Sequence, residues 1–203
     1  GYDVTDPTRL NDELGGEAGY QRLHEALAQH GMKLLADIVP NHMGIANGAN
    51  RFWQDVLANG RTSPYVHFFD IDWQPIKSDL VGQVLLPVLG EQYGVVLEQG
   101  ELRLSFVESG FTVHYYELPL PIAPPTYGFI LQRVLPAVQA AFEPGDLPRL
   151  EFESIVAAFD RLPPNDTTDE VLVQERQREQ VVTRGRLATL AENEPAVLAA
   201  IEA

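Results

Sequence analysis

An eight-residue run, Met32-Lys33-Leu34-Leu35-Ala36-Asp37-Ile38-Val39, is apolar at six positions, follows a helical pattern and stops at Pro40. Runs of this length and composition suit a parallel strand covered on both faces. Upstream, residues 12–16 form a polar, glycine-marked entry, and Glu17 falls in a first turn where the helix dipole favours an acid. Tyr20, Leu23 and Leu27 then recur at helical spacing over residues 17–30, and Gly31 supplies the stop. With Gly1-Tyr2-Asp3-Val4 as a first strand, the spacing predicts a strand-helix-strand unit, which takes ~30 or more residues and a right-handed crossover.

The pattern changes after residue 43. Residues 44–125 are irregular, with Phe52, Trp53, Tyr65, Phe68, Phe69 and Trp73 crowded into one stretch. A hairpin is expected from residues 101–107 and 111–116 about Ser109-Gly110, and Pro119, Pro121, Pro124 and Pro125 read as an extended linker. Residues 126–203 read as helical: one apolar face over 127–142 interrupted by Pro136, another over 150–162, and a longer helix starting near Thr167. Thr167-Thr168-Asp169-Glu170 has capping-box spacing, and residues 174–180 are polar all round, which predicts a solvated helix. The expected division is therefore 1–43, 44–125 and 126–203.

Composition narrows the partners. With 14 Lys+Arg against 29 Asp+Glu the formal charge is −15, which repels phosphate backbones and anionic lipid, so no nucleic acid and no membrane surface is expected. No stretch approaches the ~20 apolar residues of a membrane span. The chain has no cysteine, which removes disulfides, thiolate metal sites and thiol nucleophiles and fits a cytoplasmic location. A strand that opens with no initiator Met and no signal-peptide pattern suggests an excised piece of a longer protein.

Ligands in parallel α/β architectures gather at the carboxyl ends of strands. The first such end gives Tyr2 and Asp3, the second Asp37-Ile38-Val39-Pro40-Asn41-His42. Asp37 interrupts an apolar strand, so burial would demand a cationic or hydrogen-bonding partner. His42 can donate a hydrogen bond while uncharged at neutral pH. A structural role is open for each of them on these grounds alone.

These residues carry a resemblance. Asp37-Ile38-Val39-Pro40-Asn41-His42 resembles the first conserved motif of the α-amylase family of glycoside hydrolases, at the end of the third barrel strand, and Gly1-Tyr2-Asp3-Val4 resembles the segment ending the second. Ser63-Pro64-Tyr65, Phe69-Asp70-Ile71-Asp72-Trp73, Leu85-Leu86-Pro87-Val88-Leu89-Gly90 and Tyr115-Tyr116-Glu117 resemble the insertion after the third strand in maltooligosyl trehalose synthases. The resemblance weakens after Pro144. It implies an α/β fold: a partial (β/α)8 TIM-barrel segment with an inserted α+β domain and a helical C-terminal part. It implies intramolecular transglycosylation, in which the reducing-end α-1,4 bond of a maltooligosaccharide becomes α,α-1,1, with the remainder of the barrel as partner and no cofactor.

By the same resemblance Tyr2 stacks on the sugar beside the scissile bond or caps the barrel mouth. Asp3 binds a hydroxyl, pairs with an arginine or merely shapes a turn. Asp37 orients an arginine from a missing strand, Asn41 braces the loop or, in calcium-binding relatives, ligates metal, and His42 binds a hydroxyl of the reacting sugar. The two catalytic carboxylates of a retaining mechanism are expected outside these residues, so the piece alone is expected to be inactive. Trp53, Phe68, Phe69 and Trp73 are either platforms for further glucose units or core. No metal site is expected, since Asp70 and Asp72 lack enough companion oxygens. Two other readings remain: another starch-acting hydrolase or glucanotransferase of the family, and a non-catalytic carbohydrate-binding or interaction module.

Overall fold

A computed structural model describes residues 3–107 and 109–203. The chain forms two compact units, one ending at Arg51 and the other running Phe52–Ala203.

The first unit is built on α1 (Gly16–Gln29), close to the expected helix. Its C-terminus closes as the sequence implies: Gly31 at φ 63° lets its own N–H reach Ala28 O at 3.2 Å and brings Met32 N–H to Leu27 O at 2.8 Å. A side chain at Gly31 would strain this left-handed turn. The strand expected after it does not form: residues 32–39 make no ladder among the described residues. Without a paired neighbour on either side, the apolar side chains stay uncovered, with Leu35 96% and Ile38 73% exposed. The helix is in the same state, for none of its residues is buried and Tyr20 and Leu23 face outward. Asp37 is exposed as well, so the desolvation expected of it is not met here. Asp3 and Val4 are not in a strand, and Tyr2 lies outside the described residues.

The second unit starts one residue into the helix α2 (Arg51–Asn59), which buries Phe52, Trp53, Val56 and Asn59. Phe52 meets Tyr65 and Phe68 at ring separations of 4.9 and 5.3 Å, and Trp53 meets Phe69 at 4.9 Å. Much of the aromatic crowd is thus core, with Trp53 buried and Phe68 exposed. After the short helix α3 (Tyr93–Glu98), strands β1 (Leu102–Val107), β2 (Gly110–Tyr115) and β3 (Leu118–Pro121) form an antiparallel sheet in that order. The expected hairpin is present, with Val107 opposite Gly110 and Ser109 at φ 74°. The proline-rich segment is not a linker: Pro119 and Pro121 lie in β3, an edge strand where a missing donor is tolerated, and Pro125 opens the next helix, where the N–H it lacks has no intrahelical acceptor.

Four helices complete this unit: α4 (Pro125–Ala141), α5 (Leu147–Asp160), α6 (Glu170–Asn193) and α7 (Pro195–Glu202). Their core joins Leu131, Val138, Phe152, Ile155, Phe159, Leu187 and Val197 to Phe111 of the sheet. Tyr127 links the two layers: its ring stands edge-on to Phe111 at 5.0 Å and its hydroxyl oxygen accepts from Phe111 N–H at 3.0 Å. Burial pushes that phenol above its usual pKa.

The longest helix departs from expectation twice. Its cap is Asp169, whose carboxylate accepts from Val171 and Leu172 N–H, while Thr167 only receives the Asp169 N–H. The polar stretch is solvated on one face only: Gln174, Glu175 and Arg178 are exposed, whereas Arg176 and Gln180 are buried. Arg176 donates to Thr62 Oγ1 at 3.1 Å and to Pro163 O at 2.6 Å, and Gln177 donates to Thr62 O at 2.9 Å. Specific acceptors on the 62 and 163 segments draw the polar face inward, which periodicity alone does not encode.

Candidate functional site

In the first unit the residues at the two expected strand ends meet. Gly44 N–H donates to Val4 O at 2.9 Å, which lays residues 41–44 beside Asp3 and Val4. Gly44 eases this approach: a Cβ there would stand 3.3 Å from both Cβ and the carbonyl oxygen of Asp3, a tight contact. His42 Nε2 lies 3.8 Å from Asp3 Oδ1, and His42 Nδ1 lies 3.3 Å from Asn41 Oδ1. Asn41 Oδ1 can only accept, so its contact places the imidazole proton on His42 Nδ1 and leaves Nε2 of the neutral ring as an acceptor. Both side chains are open, His42 at 48% and Asp3 at 84%. A gap of 3.8 Å is too long for a direct hydrogen bond, so both atoms keep their capacity to accept from a hydroxyl group. The structure therefore joins Asp3, Asn41 and His42, while Asp37 sits on the exposed run that leads to them.

Two supports of this loop were not anticipated from sequence. Asn50, fully buried, donates to Gly44 O at 2.9 Å. Asp6 accepts from Thr8 N–H at 2.9 Å and Thr8 Oγ1 at 2.6 Å, and from Arg51 Nε at 3.1 Å. Hydrogen bonds from Thr8, with the Arg51 guanidinium behind them, hold the Asp6 carboxyl below its usual pKa. Asp6-Pro7-Thr8 is an aspartate-turn signature that could have been read. The Arg51 contact, across 45 residues, could not.

In the second unit two of the segments singled out in the sequence touch. Gly90 N–H donates to Tyr115 Oη at 2.9 Å, so the Leu85-to-Gly90 segment touches the Tyr115-Tyr116 segment. Ser63 Oγ donates to Asp55 Oδ1 and receives Tyr65 N–H at 3.1 Å, fixing the Ser63-Pro64-Tyr65 turn against α2. Among the described residues no group of three or more His, Asp or Glu is placed to hold a metal ion, and no helix is long and apolar enough to cross a membrane.

A model of the α-amylase catalytic domain matches residues 1–90. Residues 1–90 are α-amylase-family sequence. Over 125 residues, 61% of this chain, 44% are identical to a Mycobacterium tuberculosis (strain ATCC 25618 / H37Rv) protein named as a maltooligosyl trehalose synthase, and the match spans 15% of that protein. The alpha-amylase SusG of Bacteroides thetaiotaomicron is 31% identical over 86 residues, 42% of this chain and 12% of its own length. A crystal structure of a maltooligosyl trehalose synthase superposes at a TM-score of 0.53 with 38% identity, covering 60% of this chain and 16% of that one. The chain is homologous over part of its length to the maltooligosyl trehalose synthases, and the α-amylase match implies a partial TIM barrel. It spans about a sixth of the length of these relatives.

Proposed function

We propose that this chain is the segment of a maltooligosyl trehalose synthase that carries the second and third barrel strand ends together with the inserted domain. The supporting observation is the reach of the similarity: 125 residues against the synthase, beyond the 90 of the α-amylase match and the 86 shared with SusG. An ordinary amylase accounts for the barrel part and leaves the insertion unexplained.

In this reading Asp3, Asn41 and His42 bind the sugar at the reacting bond, Tyr2 stacks on its C–H face, and Asp37 orients an arginine supplied by the rest of the barrel. The Asp3 carboxylate and His42 Nε2, 3.8 Å apart, offer two acceptors to the hydroxyls of one sugar. The uncovered apolar run 32–39 and the outward face of α1 are the surfaces that neighbouring strands and helices of the barrel cover. The nucleophile and the acid/base, about 5–5.5 Å apart in a retaining enzyme, belong to sequence outside these residues. The reaction moves the reducing-end glucosyl bond from α-1,4 to α,α-1,1 within one substrate molecule, in the cytoplasm and without a cofactor.

The test is incubation of maltopentaose with the 203-residue chain and with the complete protein. Loss of reducing ends with the complete protein alone is the expected result. Loss of reducing ends with the isolated chain contradicts the assignment of the catalytic carboxylates elsewhere.

A further inference from the structure

The second unit holds a cavity of about 300 Å³ walled by Trp73, Leu86, Leu120 and Pro121, with Gln83 and Asn165 at its polar side. Two of the insertion segments build it, since Trp73 ends one and Leu86 lies in the other. The wall is braced: Gly82 N–H donates to Trp73 O at 3.0 Å, closing the loop that sets Trp73 beside Gln83.

The chemistry of the lining selects the ligand. In a chain of formal charge −15, none of the residues lining this cavity is ionisable. An ionic ligand finds no counter-charge there. Trp73 is half-buried and offers a flat apolar surface, while Gln83 and Asn165 each offer a donor and an acceptor, the pair of functions that a hydroxyl also has. Neither amide is hydrogen-bonded within the chain among the described residues. The volume, about 300 Å³, is at the small end of the range of small-molecule pockets, which suits a single ring. Small neutral molecules with one apolar face and a hydroxyl rim fit these walls, and sugars are such molecules.

We propose that this cavity binds one glucosyl residue of an α-1,4-glucan, with the ring against Trp73 and its hydroxyls on Gln83 and Asn165. The choice of an α-1,4-glucan over other sugars rests on the function proposed above. The class of ligand, a neutral sugar, rests on the lining itself.

The probe is maltopentaose, with cellopentaose as the β-1,4 control, titrated into the ¹⁵N-labelled 203-residue chain. The expected result is saturable shifts of the Trp73 indole N–H and of the Gln83 and Asn165 side-chain amides, at about millimolar concentration. Trp73→Ala should weaken binding about tenfold, with the thermal midpoint recording whether the fold is kept. Should that variant unfold, Asn165→Ala, at a half-buried surface position, is read in its place and should weaken binding severalfold. Absent shifts, shifts confined to other residues, or undiminished affinity in a folded variant overturn the proposal. Equal response to cellopentaose overturns the α-1,4 assignment. The activity reading is judged separately, by turnover of the complete protein, so a silent cavity beside trehalose-forming turnover condemns this inference alone.

Discussion

His42 Nε2 and Asp3 Oδ1 face each other at 3.8 Å, brought together by the bond from Gly44 N–H to Val4 O. Because the imidazole is half open, it contributes little packing, and its removal should cost little stability. A hydrogen bond to a hydroxyl of the reacting ring that strengthens at the transition state contributes about 1.5–3 kcal/mol. In the complete protein His42→Ala should therefore lower kcat on maltopentaose about tenfold to a hundredfold with a nearly unchanged Tm. A normal kcat beside a Tm lowered by several degrees would return His42 to the scaffold.

Tyr127→Phe removes one hydroxyl and strands the buried Phe111 N–H that it receives. An unpaired buried donor costs about 1–3 kcal/mol, and the ring stack with Phe111 and Phe159 is unaffected. Urea denaturation of the second unit should show a lower midpoint with the same slope. An unchanged midpoint would mean that this bond contributes nothing.

Arg176 is buried with neutral oxygens of Thr62 and Pro163 as its partners, and its Nη2 makes no hydrogen bond. Burial lowers its pKa accordingly. Arg176→Ala opens a large void and frees both acceptors, an expected loss of about 2–5 kcal/mol. Arg176→Met keeps most of the volume and removes the desolvated charge, so it should cost clearly less. Equal losses in the two variants, read from Tm, would show that the guanidinium bonds rather than the volume dominate.

The Glu151 carboxylate receives Arg186 Nε at 2.8 Å and Nη2 at 3.0 Å, which holds its pKa below the usual carboxylate value in the folded chain. A depressed carboxylate pKa contributes stability that is present above the unfolded value and is lost as pH falls through the folded one. At about 40% exposure of Glu151, screening limits the pair to about 1 kcal/mol or less. Glu151→Gln should lower Tm slightly at pH 7, and the difference should vanish at a pH low enough to protonate Glu151 in the folded chain. A difference that persists at the lower pH would assign the effect to packing.

Local signals translated well into structure and long-range ones poorly. Gly31 predicted the end of α1 because a left-handed turn there is a property of a few adjacent residues. Ser109-Gly110 predicted the hairpin for the same reason. The run 32–39 has strand character, yet a ladder needs a second strand, and none pairs with it among the described residues. Arg176 looked solvated because nothing nearby in sequence announces Thr62, 114 positions away, as its acceptor. At the candidate site, Asp3, Asn41 and His42 were readable from their motifs. Their mutual distance, and the roles of Gly44 and Asn50 in setting it, needed the folded chain.

Proton NMR of the product that the complete protein makes from maltopentaose tests the central claim most directly. The account predicts that the reducing-end anomeric signals disappear, an α,α-1,1 signal appears, and the oligosaccharide keeps its mass. Release of shorter reducing sugars, with no α,α-1,1 signal, would contradict it and place this chain with the hydrolytic amylases.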